Sequence, residues 1–216
     1  MHKKKYDLIV FDWDGTIIDS QAHILSCMKL AFASANHAVP EDKDIRHIIG
    51  LSLASAIKTL DQSLDDAEVS RIADLYRQHF FSESTQPSEL FAGAADTILD
   101  LHAQGYFLAV ATGKGRHGLD VALETTGLGQ YFHITRCADE TRSKPDPLML
   151  DEILTDLDLL PEQAIMVGDT SYDVDMARNI KMDSIAVTYG MHDPDHLRSS
   201  NPTYFADSID QVVQFV

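Results

Sequence analysis

Short, nearly continuous apolar runs alternate along this chain with longer stretches in which apolar residues recur every three or four positions. The apolar runs predict five strands, at residues 8–11, 107–111, 133–136, 164–167 and 184–188. Because these runs lack polar alternation, they are typical of parallel strands covered on both faces. Helical spacing follows them at residues 94–104, 118–126 and 147–157. The pattern predicts an α/β fold, a Rossmann-like parallel sheet core with helices on both faces.

Between the first two predicted strands, the apolar runs disappear and only helical spacing remains. Helices are predicted there at residues 21–34, 45–60 and 65–81. A helical block of this length is too long for the simple crossover that joins two parallel strands. We therefore predict an inserted helical cap domain at residues 18–85, with the α/β core formed by residues 1–17 and 86–216. The two linkers are expected near residues 17–20 and 82–91.

The composition narrows the classes of partner. The 216 residues carry a formal charge of −17, which argues against nucleic-acid and anionic-membrane partners because both require clustered basic residues. No apolar run is long enough to span a membrane or to form a signal peptide. The two cysteines, Cys27 and Cys137, follow no metal-ligand pattern, which favours a reduced, cytoplasmic protein. The large net negative charge keeps copies of the chain apart by repulsion, which favours a monomer.

Polar clusters follow four of the predicted strands or the loops after them. They are Asp12-x-Asp14, Thr112-Gly113-Lys114, Lys144-Pro145-Asp146-Pro147 and Gly168-Asp169-x-x-x-Asp173. Functional groups of an open parallel sheet gather at the carboxyl ends of its strands, near the point where the strand order reverses. We therefore expect the four clusters to meet in one site.

Two carboxylates so close together are costly unless a metal ion or a developing charge offsets their repulsion. Asp12 alone has an alternative role as the cap of a turn. Beside Asp14, it is better interpreted as a nucleophile that attacks phosphorus and forms an acyl phosphate. Asp14 then suits the general acid that protonates the leaving alcohol and the base that later activates water.

The other clusters supply phosphoryl and metal ligands in this hypothesis. The hydroxyl of Thr112 and the backbone N–H of Gly113 are expected to hold a phosphoryl oxygen, although Thr112 could simply cap the next helix. Lys144 supplies a fixed cation, in place of the usual solvated lysine. Asp169 and Asp173 are spaced to reach one Mg²⁺ and its waters, although both could also serve as first-turn helix acids.

The order Asp-x-Asp-Gly-Thr, Thr, Lys-Pro, Gly-Asp-x-x-x-Asp resembles the haloacid dehalogenase superfamily of aspartate-nucleophile phosphotransferases. The helical insertion directly after the first motif is similar to the phosphoglycolate phosphatase-like branch. The resemblance implies a phosphatase that uses Asp12 as nucleophile and Asp14 as acid and base. It also implies that Asp12, the main-chain carbonyl of Asp14 and Asp169 ligate Mg²⁺, with Asp173 in support. Gly113 is a departure, since relatives often carry Asn there.

The leading hypothesis is a magnesium-dependent phosphatase acting on a small phosphomonoester, such as phosphoglycolate. A β-phosphoglucomutase-like phosphoryl transferase is the nearest alternative. A 2-haloacid dehalogenase would need neither Asp14 nor Asp169, and a carbon–phosphorus hydrolase usually lacks the second carboxylate. A phospho-accepting receiver module fits neither the helical insertion nor the Asp12-x-Asp14 pair.

Side chains of the cap and of the second motif are candidates to contact the substrate. Arg46 and Lys58 are the cap candidates, and Lys114 and Arg116 lie next to the predicted phosphoryl site. The identity of the substrate does not follow from these positions, because cap residues obey no transferable code.

Overall fold

The computed structural model describes residues 4–82 and 88–216, and the following elements lie in those ranges. The strands are β1 (Leu8–Phe11), β2 (Ile18–Asp19), β3 (Glu89–Leu90), β4 (Phe107–Thr112), β5 (Ile134–Cys137), β6 (Ala164–Gly168), β7 (Asp183–Val187) and β8 (Tyr204–Ala206). The helices are α1 (Gln21–Ser34), α2 (Asp42–Ile48), α3 (Leu53–Leu60), α4 (Asp66–Phe80), α5 (Ala94–Ala103), α6 (Arg116–Thr126), α7 (Leu148–Leu157), α8 (Ser171–Asn179) and α9 (Pro194–Ser199). Three short 3-10 turns complete the described structure.

Six strands form one parallel sheet in the order β5-β4-β1-β6-β7-β8. The central strand β1 pairs with β4 on one side and β6 on the other, and Phe11 lies level with Val110 and Val167. The strand order reverses at β1, because the chain builds outward from it in both directions. Since parallel strands end at the same edge, this register brings the residues after β1, β4 and β6 together.

Apolar side chains of β1 alternate between two buried clusters on opposite faces of the sheet. Ile9 and Phe11 join the cluster that includes residues of α5 and α6. Leu8 and Val10 join the cluster that includes residues of α7 and α8. Helices therefore cover both faces, and the predicted α/β fold class is confirmed.

Helices α1 to α4 share a hydrophobic cluster of their own, which contains one residue from the sheet side, Met191. Where this helical part joins the sheet, β2 pairs with β3 in an antiparallel bridge, Ile18 with Leu90 and Asp19 with Glu89. The predicted second linker overlaps residues 83–87, which lie outside the described residues.

The helical stretch predicted around residues 45–60 forms two helices, α2 and α3, in the structure. Gly50 adopts a φ of 102°, in the left-handed region where other residues are strained, and this turn interrupts the helix. Ser52 then caps α3 by accepting a hydrogen bond from the N–H of Ser55 at 3.3 Å. Within the described residues, no helix is both long and apolar enough to cross a membrane.

Candidate active site

Three buried carboxylates lie together at the carboxyl edge of the sheet. Asp12 follows β1, Asp169 follows β6, and Asp173 lies in the first turn of α8. Each offers an oxygen within 4.8 Å of the oxygens offered by the other two, and all three side chains are buried. The separation fits oxygen ligands around one hard cation such as Mg²⁺. The predicted meeting of the first and fourth motifs is thus visible in the geometry.

Lys144 reaches the same cluster from the loop before α7. Its Nζ donates to Oδ1 of Asp12 at 2.7 Å and to Oδ1 of Asp173 at 2.6 Å, and its side chain is fully buried. Burial alone would lower the pKa of this amine, but the two carboxylates outweigh it and raise the pKa above the usual lysine value. Lys144 is therefore held as a fixed cation between two acidic groups.

The carboxylates themselves repel one another. Burial and the neighbouring Asp173 and Asp14 raise the pKa of Asp12 to about 7, although Lys144 opposes the shift. Burial, followed by the charges of Asp12 and Asp173, raises the pKa of Asp169 well above its usual value. One lysine does not offset three ionised carboxylates, so a divalent cation at the cluster would favour their ionised forms.

Asp169 is fixed by two donors that the motif pattern did not identify. The hydroxyl of Thr16 donates to Oδ1 at 2.9 Å, and the N–H of Met191 donates to Oδ2 at 2.7 Å. Gly15, with a φ of 88°, leaves room for this carboxylate, because a Cβ there would overlap Oδ2 of Asp169. The position of Thr16 directly after Gly15 is the signal that could have revealed its role.

Asp173 has both oxygens engaged by protein donors. While Oδ1 accepts from Lys144, Oδ2 accepts from the N–H of Thr170 at 3.1 Å and from its hydroxyl at 2.6 Å. The carboxylate therefore orients Lys144 and closes the first turn of α8. This geometry suits the supporting role that the resemblance implied for Asp173.

Asp14 lies apart from the three clustered carboxylates and faces Lys114. The Nζ of Lys114 lies 2.9 Å from Oδ2 of Asp14, and both side chains are largely buried. The other oxygen, Oδ1, is buried with no hydrogen-bond partner among the described residues. An unsatisfied buried oxygen is costly, so Oδ1 of Asp14 is placed to accept a hydrogen bond from an incoming donor.

Thr112 and Gly113 end β4 directly beside the helical part. Thr112 is buried, and its hydroxyl accepts from the N–H of Lys114 at 3.2 Å. A Cβ at Gly113 would overlap the carbonyl oxygen of Gly50 and lie 2.6 Å from that of Leu51. The α2–α3 loop therefore rests on Gly113, which explains why a larger residue does not occupy this position here.

A cavity of about 290 Å³ opens from Asp12 and Asp14 between the sheet edge and helices α1, α3 and α4. Thr112, Gly113 and Lys114 also line it. Among the described residues, the lining includes neither Arg46 nor Lys58, and Lys58 instead donates to the carbonyl oxygen of Leu64. Arg116 is likewise absent from the lining and pairs with Glu140 at 2.7 Å. Of the four cationic candidates, only Lys114 faces the cavity.

Taken together, the site holds three clustered buried carboxylates that could bind a metal ion, a buried lysine between two of them, and a further carboxylate, Asp14, paired with Lys114. Residues 9–187 match the family described as haloacid dehalogenase-like hydrolase. The chain belongs to this family, and it is therefore an enzyme of the hydrolase class. The resemblance drawn from the four motifs is confirmed.

Relatives extend over nearly the whole chain. Probable phosphatase IndB from Dickeya dadantii is 33% identical, with 95% of this chain and 91% of the relative covered. Pyrophosphatase PpaX from Halalkalibacterium halodurans is 29% identical, over 96% of this chain and 95% of the relative. Phosphoglycolate phosphatase from Vibrio cholerae is 28% identical, over 99% of this chain and 98% of the relative.

The fold is shared with solved structures. A crystal structure described as that of a predicted phosphatase from Clostridium acetobutylicum superposes with a TM-score of 0.88 at 25% identity and covers 98% of each chain. Because the match spans both the sheet and the inserted helices, the whole described architecture is that of this hydrolase fold.

Proposed function

We propose that this protein is a magnesium-dependent phosphatase that hydrolyses a small phosphomonoester through an aspartyl-phosphate intermediate on Asp12. The observation that carries the proposal is the position of Asp12. Asp12 lines the cavity, and its carboxylate oxygen Oδ1 lies 2.7 Å from the amine of Lys144. The names of the relatives, which are those of phosphatases and a pyrophosphatase, support the same reaction class.

In the first half-reaction, an oxygen of Asp12 attacks phosphorus and the bond between phosphorus and the alcohol oxygen breaks. Asp14 gives its proton to the departing alkoxide and becomes a carboxylate. In the second half-reaction, Asp14 takes a proton from water, which attacks the aspartyl phosphate. The bond between phosphorus and the Asp12 oxygen breaks and phosphate leaves, so Asp12 is again a carboxylate and Asp14 again carries a proton.

Lys144, Thr112 and Gly113 are assigned to the phosphoryl group in this proposal. Lys144 would neutralise part of the charge on the transferred phosphoryl oxygens, because its amine is already fixed beside the nucleophile. The hydroxyl of Thr112 and the N–H of Gly113 would donate to the same oxygens from the end of β4. These donors are held before the substrate arrives, so little reorganisation is needed.

The acidic cluster fits a divalent cation. Asp12, the main-chain carbonyl of Asp14 and Asp169 would hold Mg²⁺, with Asp173 orienting Lys144 beside them. When bound, the ion offsets the negative charge shared by nucleophile and phosphoryl group. Burial, together with repulsion between the carboxylates, raises the pKa of Asp12 and of Asp169, and a bound cation would relieve both effects.

Residues 18–85 are proposed to act as a cap domain that closes over this site, with residues 1–17 and 86–216 as the core. Such a cap excludes water and supplies contacts to the substrate. We also propose a cytoplasmic monomer whose partner is a small phosphorylated metabolite. Cys27 and Cys137 are both free and buried, as expected for a reduced compartment.

Phosphoglycolate is the first named substrate to test, because one relative bears that activity in its name. Transfer of a phosphoryl group between sugar positions is a weaker proposal. A sugar brings several hydroxyls that need hydrogen-bond partners, whereas Ile24, Met28 and Ile49 present apolar side chains to the cavity.

The test measures phosphate release from a panel of phosphomonoesters and pyrophosphate, with Mg²⁺ and with chelator. Release is expected only with Mg²⁺, and Asp12→Asn is expected to lower kcat by at least 10³-fold, since an amide is no nucleophile here. Asp139→Asn is the matched control, because Asp139 lines the cavity away from the cluster. Equal turnover by Asp12→Asn and the parent would refute the proposal.

A further inference from the structure

The part of the cavity beyond the two catalytic carboxylates is walled mainly by apolar side chains. Helices α1 and α4, which pack against each other, both contribute to this lining, and so does the α2–α3 loop. The apolar lining includes Ile24, Met28, Ile49, Leu51, Tyr76 and Phe80. A small-molecule site of this kind binds its ligand mainly through apolar contact, with a few polar groups that fix the orientation.

An aromatic wall runs along the end of α4. The ring centroids of Tyr76 and Phe80 are 5.6 Å apart, and those of Phe80 and Phe81 are 5.4 Å apart. Phe81 lines the cavity although 42% of it remains exposed to solvent. A large apolar ring left exposed at the wall of a cavity is a recurrent sign of an apolar ligand.

The cationic side chains that face the cavity are already paired with acids. Among the described lining residues, these are Lys114 and Arg77. Lys114 lies 2.9 Å from Asp14, and Arg77 lies 2.7 Å from Asp74 with its side chain more than half exposed. A carboxylate on the substrate would therefore have to compete with Asp14 or remain near solvent at Arg77.

We propose that the alcohol half of the substrate carries an apolar group the size of a single ring, which packs against Tyr76, Phe80 and Phe81. The inference rests on the proposed phosphatase function and specifies its substrate class. The cavity of about 290 Å³ is near the lower end of the volumes usual for small-molecule sites, so it suits a phosphoryl group plus one ring. The Phe80 ring already stacks on His23, and its centroid lies 4.7 Å from Nζ of Lys114. The exposed ring of Phe81 is therefore the part of the wall that a ring on the substrate would cover and a two-carbon acid would not.

The test compares benzyl phosphate, ethyl phosphate and phosphoglycolate in the presence of Mg²⁺. All three release an alkyl alcohol rather than a phenol, so differences in kcat/KM report mainly on contacts to the leaving group. We expect kcat/KM for benzyl phosphate to exceed that for ethyl phosphate and for phosphoglycolate by at least tenfold.

Phe81→Lys probes the aromatic wall directly. It replaces a ring with a cation and is expected to lower the ratio of kcat/KM for benzyl phosphate to that for phosphoglycolate by at least fivefold. Because both esters are measured on one sample, partial unfolding cancels from the ratio. Phe107→Lys is the matched control, since Phe107 is 40% exposed at the start of β4 and is not part of the cavity lining; its ratio should match the parent.

Two results would overturn the inference, and they are distinguishable. Phosphoglycolate turned over as well as or better than benzyl phosphate would reject the apolar substrate class and leave the phosphatase intact. If Phe81→Lys kept the parental ratio of kcat/KM for benzyl phosphate to that for phosphoglycolate, the assignment of the aromatic wall as the binding surface would be rejected. Absence of Mg²⁺-dependent release from every ester would instead overturn the proposed function itself, and the substrate class with it.

Discussion

At the scale of single residues, small backbone features decide whether the catalytic groups can meet. Gly15 gives space to the carboxylate of Asp169, and Gly113 gives space to the α2–α3 loop. Asp173 holds Lys144 while its other oxygen is bonded to Thr170. Gly15 and Thr170, which have no assigned role in the proposed chemistry, therefore help to place the acids and the cation.

Gly113→Ala tests the contact between the cap and the second motif. The new Cβ would overlap the carbonyl of Gly50, so the α2–α3 loop would have to move away from the site. We expect kcat/KM to fall at least tenfold, with a smaller relative loss of stability, because the rest of the cap cluster is unchanged.

Steady-state kinetics and urea unfolding on the same preparation measure the two effects. Gly129→Ala is the control, because a Cβ there would meet Leu123 at an ordinary 3.4 Å. Unchanged kinetics in Gly113→Ala would show that the loop does not need to rest on this residue.

At the scale of elements, sequence periodicity predicted the core well. The predicted helix at residues 21–34 coincides with α1, and β1 was placed correctly, because uninterrupted burial leaves a clear apolar signal. The predictions for β5 and β7 are each displaced by one residue. The sequence did not predict strand β8, because it is an edge strand of only three residues and so short a segment shows no clear hydrophobic periodicity. Strands β2 and β3 were also not predicted, because each is only two residues long.

The motifs predicted which side chains meet, because strand ends in a parallel sheet converge. Sequence spacing could not predict the pairing of Lys114 with Asp14 or the donors of Thr16 and Met191 to Asp169. The first two contacts join segments about 100 and 153 residues apart, and the Met191 contact joins residues 22 apart on either side of β7, so all three depend on three-dimensional packing. The assigned roles of the site residues remain predictions that the proposed variants test.

The contact between α2 and the loop after β7 makes stability depend on pH. His192 is buried, accepts from the N–H of Ser171 through Nδ1 at 3.0 Å, and faces the carbonyl of His47 through Nε2 at 3.1 Å. Burial, together with nearby His47 and His196, lowers the pKa of His192 to about 4. The neutral ring with its proton on Nε2 satisfies both partners.

The sign follows from proton binding. Below about pH 6.5 the unfolded chain protonates this histidine and the folded protein does not, so stability falls as the pH drops from about 6.5 to 4. The loss amounts to roughly 3 kcal/mol. His192→Asn keeps an acceptor for Ser171 and removes the titration, so its unfolding free energy should fall less steeply over this range.

Urea unfolding of the parent and of His192→Asn, each at pH 7 and at pH 4.5, measures how far the unfolding free energy of each protein falls over this range. His102 is exposed on α5, and His102→Asn should reproduce the parental difference between the two pH values. If His192→Asn lost as much unfolding free energy between pH 7 and pH 4.5 as the parent does, other groups would account for the acid sensitivity.

At the scale of the whole molecule, a chain with a formal charge of −17 buries three carboxylates at one edge of its sheet. The side chain of Met191 joins the apolar cluster of helices α1 to α4, while its N–H bonds to Asp169. The proposed metal site and the cap are therefore mechanically connected through one residue. Ligation at the carboxylates should stabilise both parts of the fold.

Thermal unfolding with and without Mg²⁺ tests this connection without any substrate. An ion that binds only the folded state adds RT ln(1 + [L]/Kd), about 2.7 kcal/mol at one hundred times Kd. For a chain of this size, we expect Tm to rise by about 5 °C or more. The comparison buffer holds NaCl at equal ionic strength, so that general screening of the acidic surface is subtracted.

Asp169→Asn should abolish the Mg²⁺-dependent rise while leaving the metal-free Tm equal to or above that of the parent, because it removes one of three mutually repelling charges. Asp139→Asn should keep the full rise, since Asp139 lines the cavity outside the cluster and bonds the N–H of Arg116. A rise that survives in Asp169→Asn would place the ion elsewhere. A rise in neither the parent nor Asp139→Asn would mean that the buried carboxylates are balanced by protons, as the raised pKa of Asp12 permits, and not by a metal.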